Sequence, residues 1–262
     1  MIETITSTSN PKIKKLIALQ QKSSERRESA LFVVEGAREL QHCMDAGFTV
    51  DTVFVCPEIV GNSLPAGALR NVRTFEVSRE VYAKLAYREG TEGVIAEVRS
   101  RENRLEDLRL GKSPLVMVLE SVEKPGNLGA VLRSADAAGA DAVIICDPLT
   151  DIYKPNLIRA SIGAVFTVPV AACTSEEAIA FLKERGIQIL TAQLQDSSLY
   201  YDRDMKRATA IVMGTESTGL TDLWRRAADA HIRIPMLGKL DSLNVSVSAA
   251  ILLYEAVRQR NG

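Results

Sequence analysis

The apolar residues of this chain fall into short runs separated by stretches with helical spacing. In the first hundred residues, Leu31 to Val34, Thr52 to Val55, Val72 to Val77 and Gly93 to Val98 read as strands, being short and rich in Val, Ile and Phe. Helical spacing lies around them. Ile13, Leu16, Ile17 and Leu19 form a stripe along residues 10–27, Leu40 and Met44 stand four apart in Ala37 to Ala46 ahead of Gly47, and Ser78 to Tyr87 repeats the pattern. This predicts a small α/β unit. Arg99 to Lys112 is dense in charge and reads as a linker or an exposed helix, giving boundaries of 1–100, 101–113 and 114–262. Beyond it, Leu115 to Leu119, Ala142 to Cys146, Thr167 to Val170, Ile187 to Thr191, Thr209 to Met213 and Ile232 to Ile234 are apolar without alternation. Strands buried on both faces have that pattern, and helical stretches lie between most of them. The expected architecture is α/β, with a mainly parallel sheet covered by helices. The longest helix should run from about Asn244 to Arg260.

A length of 262 residues supports two domains, and 46% hydrophobic with 25% charged residues excludes disorder, coiled coil and collagen for the whole. Lys plus Arg is 32 and Asp plus Glu is 33, for a net charge of −1. The balance holds in each half, with 16 basic and 16 acidic residues through Leu110 and 16 and 17 after it. Contact with a polyanion must therefore be local. The one strong basic excess is Lys12, Lys14, Lys15, Lys22, Arg26 and Arg27, which fits an RNA contact and equally a solvated helix face. The four cysteines form no C-x-x-C, so they are expected as reduced core thiols. With two histidines, a His-rich metal site is excluded, and no metal is expected. The N-terminus lacks a basic-then-apolar signal pattern and no apolar stretch is long enough to span a bilayer, which points to the cytoplasm.

Open α/β sheets bind ligands beyond the carboxyl ends of their strands, so the turns after the strands carry the candidate chemistry. The first turn holds Lys124, Pro125, Gly126, Asn127, Gly129, Ala130 and Arg133. No two glycines in the chain are two residues apart, which removes the G-x-G-x-x-G dinucleotide fingerprint. The second turn runs from Gly214 through Glu216 to Gly219 and Leu220. Its glycines have the P-loop separation, but Leu220 stands where the P-loop needs lysine. The third runs from Pro235 to Asp241, Ser242 and Asn244. Each polar residue also has a plain structural reading. Asn244 can cap a helix, Glu216 can complement a helix dipole, and Arg133 can serve a surface ion pair.

Together the three segments resemble the motifs of the SPOUT superfamily in its SpoU branch, the RNA ribose 2′-O-methyltransferases. The matching patterns are N-x-G-A-x-x-R-x-A (Asn127 to Ala135), G-x-E-x-x-G-L (Gly214 to Leu220), and I-P-M followed by S-L-N-V-S-V (Ile234 to Met236, Ser242 to Val247). Phe32 to Gly36 and the upstream N-P-K-I-K are similar to the family's substrate-binding domain. Ser248 stands where alanine is common, and Glu123-Lys124 where an acid-Asn pair is frequent.

The resemblance implies an N-terminal RNA-binding domain, a C-terminal domain with a deep trefoil knot, and a homodimer acting on ribosomal RNA ahead of tRNA. It implies S-adenosyl-L-methionine as cofactor, held by Thr191, Ala192, Gly214, Glu216, Gly219, Ile234, Met236, Ser242, Leu243 and Asn244, much of it through backbone groups. It implies Arg133 as the essential catalytic residue, with Asn127 and Glu216 shaping the site and Ser242 and Asn244 placing the ribose. Arginine is a poor base, with a pKa above about 12, so Arg133 as base and Arg133 as phosphate orienter both stand. A non-catalytic RNA-binding protein with the same fold is the alternative from another class.

Overall fold

The computed structural model describes residues 2–61, 64, 71–87 and 92–262, which form two compact units. The first has a five-stranded sheet made of β1 (Glu3–Ile5), β2 (Leu31–Glu35), β3 (Val50–Val55), β4 (Arg73–Val77) and β5 (Val94–Arg99), in the order β1-β4-β3-β5-β2. β1 and β3 run parallel to β4, while β5 is antiparallel to β3 and β2. The helix Pro11–Gln21 starts where Asn10 Oδ1 accepts the Lys12 N–H at 2.9 Å, with Pro11 in the first turn. Its stripe of Ile13, Leu16 and Leu19 is buried in one cluster with Val33, Phe54 and Tyr82. Burial of each such side chain contributes about 1.5–3 kcal/mol, so the stripe fixes this helix more firmly than any of its surface charges.

Three features differ from expectation in this unit. The helical segment 10–27 is interrupted at Lys22, which is extended, and a second helix, Ser23–Ser29, follows. β1 is a three-residue strand with too short a pattern to show in the sequence. The segment Asp151–Thr167, which the expected boundaries place in the second domain, packs in the first unit. Its Tyr153 ring stacks on Phe32 with centroids 4.4 Å apart, and Phe166 lies 5.8 Å from Phe32.

The second unit holds a seven-stranded, wholly parallel sheet: β6 (Leu115–Glu120), β7 (Ala142–Cys146), β8 (Val170–Cys173), β9 (Gln188–Ala192), β10 (Ser198–Leu199), β11 (Thr209–Met213) and β12 (Ala230–Arg233). The order is β10-β12-β9-β11-β6-β7-β8. β6, β7 and β11 are buried at every position, as their unbroken apolar runs require. The strand expected at Thr167 to Val170 begins instead at Val170. Ala164–Thr167 is a helical turn whose Phe166 belongs to the aromatic cluster of the first unit. Pro169 has no N–H for a ladder, although its carbonyl accepts from Val143. β12 ends at Arg233, so Ile234 lies in the following loop. Within the charged 101–113 segment, Leu108 is buried in the core of the second unit. The site is positioned by the carboxyl ends of β9, β11 and β12 and by two helices that pack together, Pro125–Ala137 and Val245–Asn261.

Candidate functional site

One carboxylate joins the three sequence motifs. Glu216 Oε1 accepts hydrogen bonds from Asn127 Nδ2 at 3.0 Å, Asn244 Nδ2 at 2.7 Å and the Val245 N–H at 3.5 Å. Its Oε2 accepts from Lys124 Nζ at 2.9 Å. Asn244 Nδ2 also donates to Asn127 Oδ1 at 3.1 Å. The turn that presents Glu216 is tight: Thr215 and Gly219 form a bridge, and Gly219 has φ +68°. At Gly214 a Cβ would sit 2.2 Å from the Gly219 carbonyl oxygen, so only glycine lets the turn close. The Lys124 ammonium, then the Val245 N–H and the Asn127 amide, hold the Glu216 carboxyl below the usual carboxylate range. Lys124 is raised in turn by the same partner. Glu216 is therefore an anion at neutral pH.

Asn244 does two jobs with two atoms. Its Oδ1 accepts the Ser246 N–H at 3.0 Å and caps the helix Val245–Asn261, while its Nδ2 serves Glu216. Capping and site chemistry are both present at one residue.

Beside this cluster opens a cleft of about 610 Å³, within the usual range for small-molecule sites. Ala192, Gly214, Glu216, Gly219, Ile234, Met236, Ser242, Leu243 and Asn244 all line it. Thr191 does not. It is fully buried behind the wall, its hydroxyl 2.6 Å from His231 Nδ1, because it is the last inward-facing position of β9 before the chain leaves the sheet. Ser242 is exposed on the rim, its hydroxyl 3.3 Å from Asp241 Oδ1, and takes no part in the Glu216 cluster. Arg133 stands apart. It is exposed on the helix Pro125–Ala137, outside the cleft, with no hydrogen bond or ion pair among the described residues.

Four polar residues of the site have no assigned role in the sequence expectations. Lys124 was visible only as a departure from the family pattern. Gln193, Arg225 and Asp241 also line the cleft. Asp241 stands in the third candidate turn without an assigned role, Gln193 lies in a loop, which has no periodicity, and Arg225 sits on the short helix Asp222–Ala227. Gln193 is notable because its Oε1 is buried without a hydrogen-bond donor among the described residues, while its Nε2 donates to the Gln195 carbonyl at 2.9 Å. A buried acceptor left unmet costs about 1–3 kcal/mol, which a ligand donor would recover.

The six basic residues of the first unit divide. Arg26 is 5% exposed, with Nε 2.6 Å from Asp151 Oδ2 and Nη1 2.6 Å from the Leu19 carbonyl, so it is structural and unavailable to RNA. The extended Lys22 rotates the second helix and turns Arg26 inward. Lys12 pairs with Glu3 at 2.9 Å and Lys15 with buried Glu97 at 2.7 Å. Lys14, Lys22 and Arg27 are exposed without partners among the described residues. Among those residues, no group of three His, Cys, Asp or Glu gathers as metal ligands would, and no helix is long and apolar enough to cross a membrane.

The profile of the SpoU rRNA Methylase family matches residues 114–254, which contain all three motifs and the Glu216 cluster. The chain belongs to this family. A second profile, the MRM3-like substrate binding domain, matches residues 10–96, ahead of the SpoU segment. Among SpoU relatives, the 23S rRNA (guanosine(2553)-2′-O)-methyltransferase RlmP of Bacillus subtilis (strain 168) is 27% identical over 250 residues, 95% of this chain and 97% of its own. A crystal structure of an RNA 2′-O ribose methyltransferase is 40% identical with a TM-score of 0.86, covering 99% of this chain and all of its own. The AdoMet-bound rRNA methyltransferase from Sinorhizobium meliloti is 30% identical with a TM-score of 0.89, covering 98% of each chain.

Proposed function

We infer that this SpoU protein methylates a ribose 2′-hydroxyl of ribosomal RNA, using S-adenosylmethionine. The observation that carries the reading is the meeting of Asn127, Glu216 and Asn244 on one carboxylate at the edge of a cleft of about 610 Å³. The cleft suits the cofactor. Its wall is built from strand-end loops with accessible backbone, and the orphaned Gln193 Oε1 offers an acceptor to an N–H donor. When bound, the cofactor supplies an electrophilic methyl group on a sulfonium.

The remaining chemistry falls to the chain. Gly214, Ile234 and Leu243 would hold the cofactor through backbone groups, with Ala192, Gly219 and Met236 completing the wall. The ionised Glu216 fixes the amides of Asn127 and Asn244, whose geometry places the ribose, with Ser242 at the rim. Arg133 is free to meet an RNA phosphate, and its guanidinium orients the 2′-hydroxyl for in-line approach.

The same reading extends to assembly and place. Leu237 is 96% exposed, Leu240 79% and Tyr254 50%. These apolar side chains on the loop and helix beside the cleft support a homodimer whose second copy covers them. The deep trefoil knot is part of the proposal, supported by the parallel order that sets β11 between β9 and β6. A ribosomal RNA substrate supports the cytoplasm as the place of action. Lys14, Lys22 and Arg27 supply local phosphate contacts in a chain with net charge −1.

The test is to map 2′-O-methyl sites in total RNA from cells with and without the gene, and to assay methyl transfer in vitro. Loss of one ribosomal RNA site is expected. No lost site, with no transfer to ribosomal RNA or tRNA, would overturn the reading.

A further inference from the structure

Among the described residues, Lys124 is the one cation that bonds Glu216, and nothing in the proposed mechanism uses it. It precedes the helix Pro125–Ala137, in the N-cap position, and makes no capping hydrogen bond. A lysine at that position opposes the helix dipole, and no acidic residue in the first turn offsets it. Local helix stability therefore does not account for a lysine here. Its ammonium instead reaches 2.9 Å to Glu216 Oε2, across 92 positions of sequence. The other oxygen, Oε1, is the one that takes both amides. The two oxygens are thus divided: Lys124 occupies one and leaves the other to Asn127 and Asn244.

We propose that Lys124 is a positioning residue for methyl transfer, holding Glu216 so that its second oxygen gathers the Asn127 and Asn244 amides. The inference rests on the methyltransferase reading. It assigns Lys124 to the internal geometry of the site, and not to a grip on RNA phosphate. The alternative has some appeal because Lys124 is 74% exposed. Against it, a free phosphate-binding lysine would point to solvent, whereas this one is spent on a carboxylate within the motif cluster.

Charges around Glu216 are few. Glu123 flanks Lys124 and favours its charged form. The start of the helix Val245–Asn261 contributes an amide and an N–H but no charged side chain. Asp241, Arg225 and Arg233 line the same cleft as Glu216, but Arg225 pairs with Asp222 and Arg233 donates to the Ser197 carbonyl, and no other charged residue lies in the turn 214–220. Among the described residues, Lys124 is therefore the cation bonded to this carboxylate. Without it, Glu216 protonates at a higher pH and Oε1 loses acceptor strength sooner as pH falls.

The experiment compares wild type, Lys124→Met and Lys124→Arg in single-turnover methyl transfer from pH 3 to 8, with 13C NMR titration of the Glu216 carboxyl over the same range beside it. Exposed ion pairs are modest in strength, so Lys124→Met is expected to slow transfer about fivefold at neutral pH and to raise the acid limb by about half a pH unit. Lys124→Arg should restore both. A loss seen only as a higher KM for RNA that steepens with salt would mean a phosphate grip and overturn the proposal, as would an unchanged acid limb. If wild type transfers no methyl at all, the functional reading fails instead. The NMR titration then still decides whether Lys124 controls Glu216: an upward shift in Lys124→Met supports the proposal and no shift overturns it.

Discussion

Asn244 and Glu216, 28 residues apart, are tied by a 2.7 Å hydrogen bond from the Asn244 amide to the carboxylate, while the other end of the same amide caps the final helix. The bond makes the helix start and the Glu216 turn a single piece. Aspartate separates its two parts. It caps a helix as well as asparagine does but has no N–H to donate, and it brings a second carboxylate toward Glu216. Asn244→Asp should unfold near the wild-type temperature and lose more than tenfold in methyl transfer. Asn244→Ala should lose transfer and also about 1 kcal/mol of stability. Thermal melts and initial rates on one substrate decide it, and an active Asn244→Asp enzyme would show that the amide donor is dispensable.

The divided basic cluster makes a paired prediction. Arg26→Ala leaves Asp151 without its guanidinium and two backbone carbonyls without their donor. Buried pairs broken on one side cost about 3–5 kcal/mol, and Asp151 keeps some water contact, so about 2 kcal/mol is expected here. The triple change of Lys14, Lys22 and Arg27 to alanine should leave the melting temperature alone. It should weaken RNA binding and lower the slope of log affinity against log salt by about 2. A destabilised triple variant, or an Arg26→Ala variant that is stable but blind to RNA, would reverse the assignment.

These two cases also mark how far the sequence could be read. The apolar runs gave β7 and β11 to the residue, because burial on both faces leaves an unbroken hydrophobic pattern. The motif residues Asn127, Glu216 and Asn244 were legible as a set, and the carboxylate that joins them needed coordinates. Arg26 was not legible as a buried residue. Its inward turn depends on a break at Lys22 and on Asp151, which is 125 positions away. Thr191 lies behind the cleft wall for a similar reason: it is the residue before the end of β9, and its hydroxyl is taken by His231 on the neighbouring strand. Gln193 had no pattern to announce it, since an unmet acceptor is a property of packing.

Gly214 tests whether the turn builds the cofactor wall. An added methyl would meet Gly219 O at 2.2 Å, Gly219 C at 2.3 Å and Leu220 N at 2.5 Å, all backbone atoms that cannot rotate away. Gly214→Ala must therefore shift the turn that carries Glu216, at about 1–3 kcal/mol. The expected result is at least a tenfold weaker Kd for S-adenosylmethionine by calorimetry, in a protein that still folds. Gly219→Ala is the control of different cause. Nothing lies within 4 Å of its added Cβ, and only its φ of +68° resists. Unaltered cofactor binding in Gly214→Ala would separate the turn from the cofactor site.

Arg133 is the residue for which fold and function predict opposite outcomes. Having no partner among the described residues and an exposed side chain, it should contribute almost nothing to stability, so Arg133→Ala should melt within about 0.5 kcal/mol of wild type. Lying outside the cleft, it should also leave the Kd for S-adenosylmethionine within about twofold. Methyl transfer, in contrast, should fall by a hundredfold or more, since an Arg–phosphate fork positions the reacting hydroxyl. Arg133→Lys keeps the charge but loses the planar fork, and should recover only a small part of the rate. Full recovery with lysine would reduce the role to charge alone. Weakened cofactor binding in Arg133→Ala would move the residue into the cofactor site and count against its assignment to the RNA.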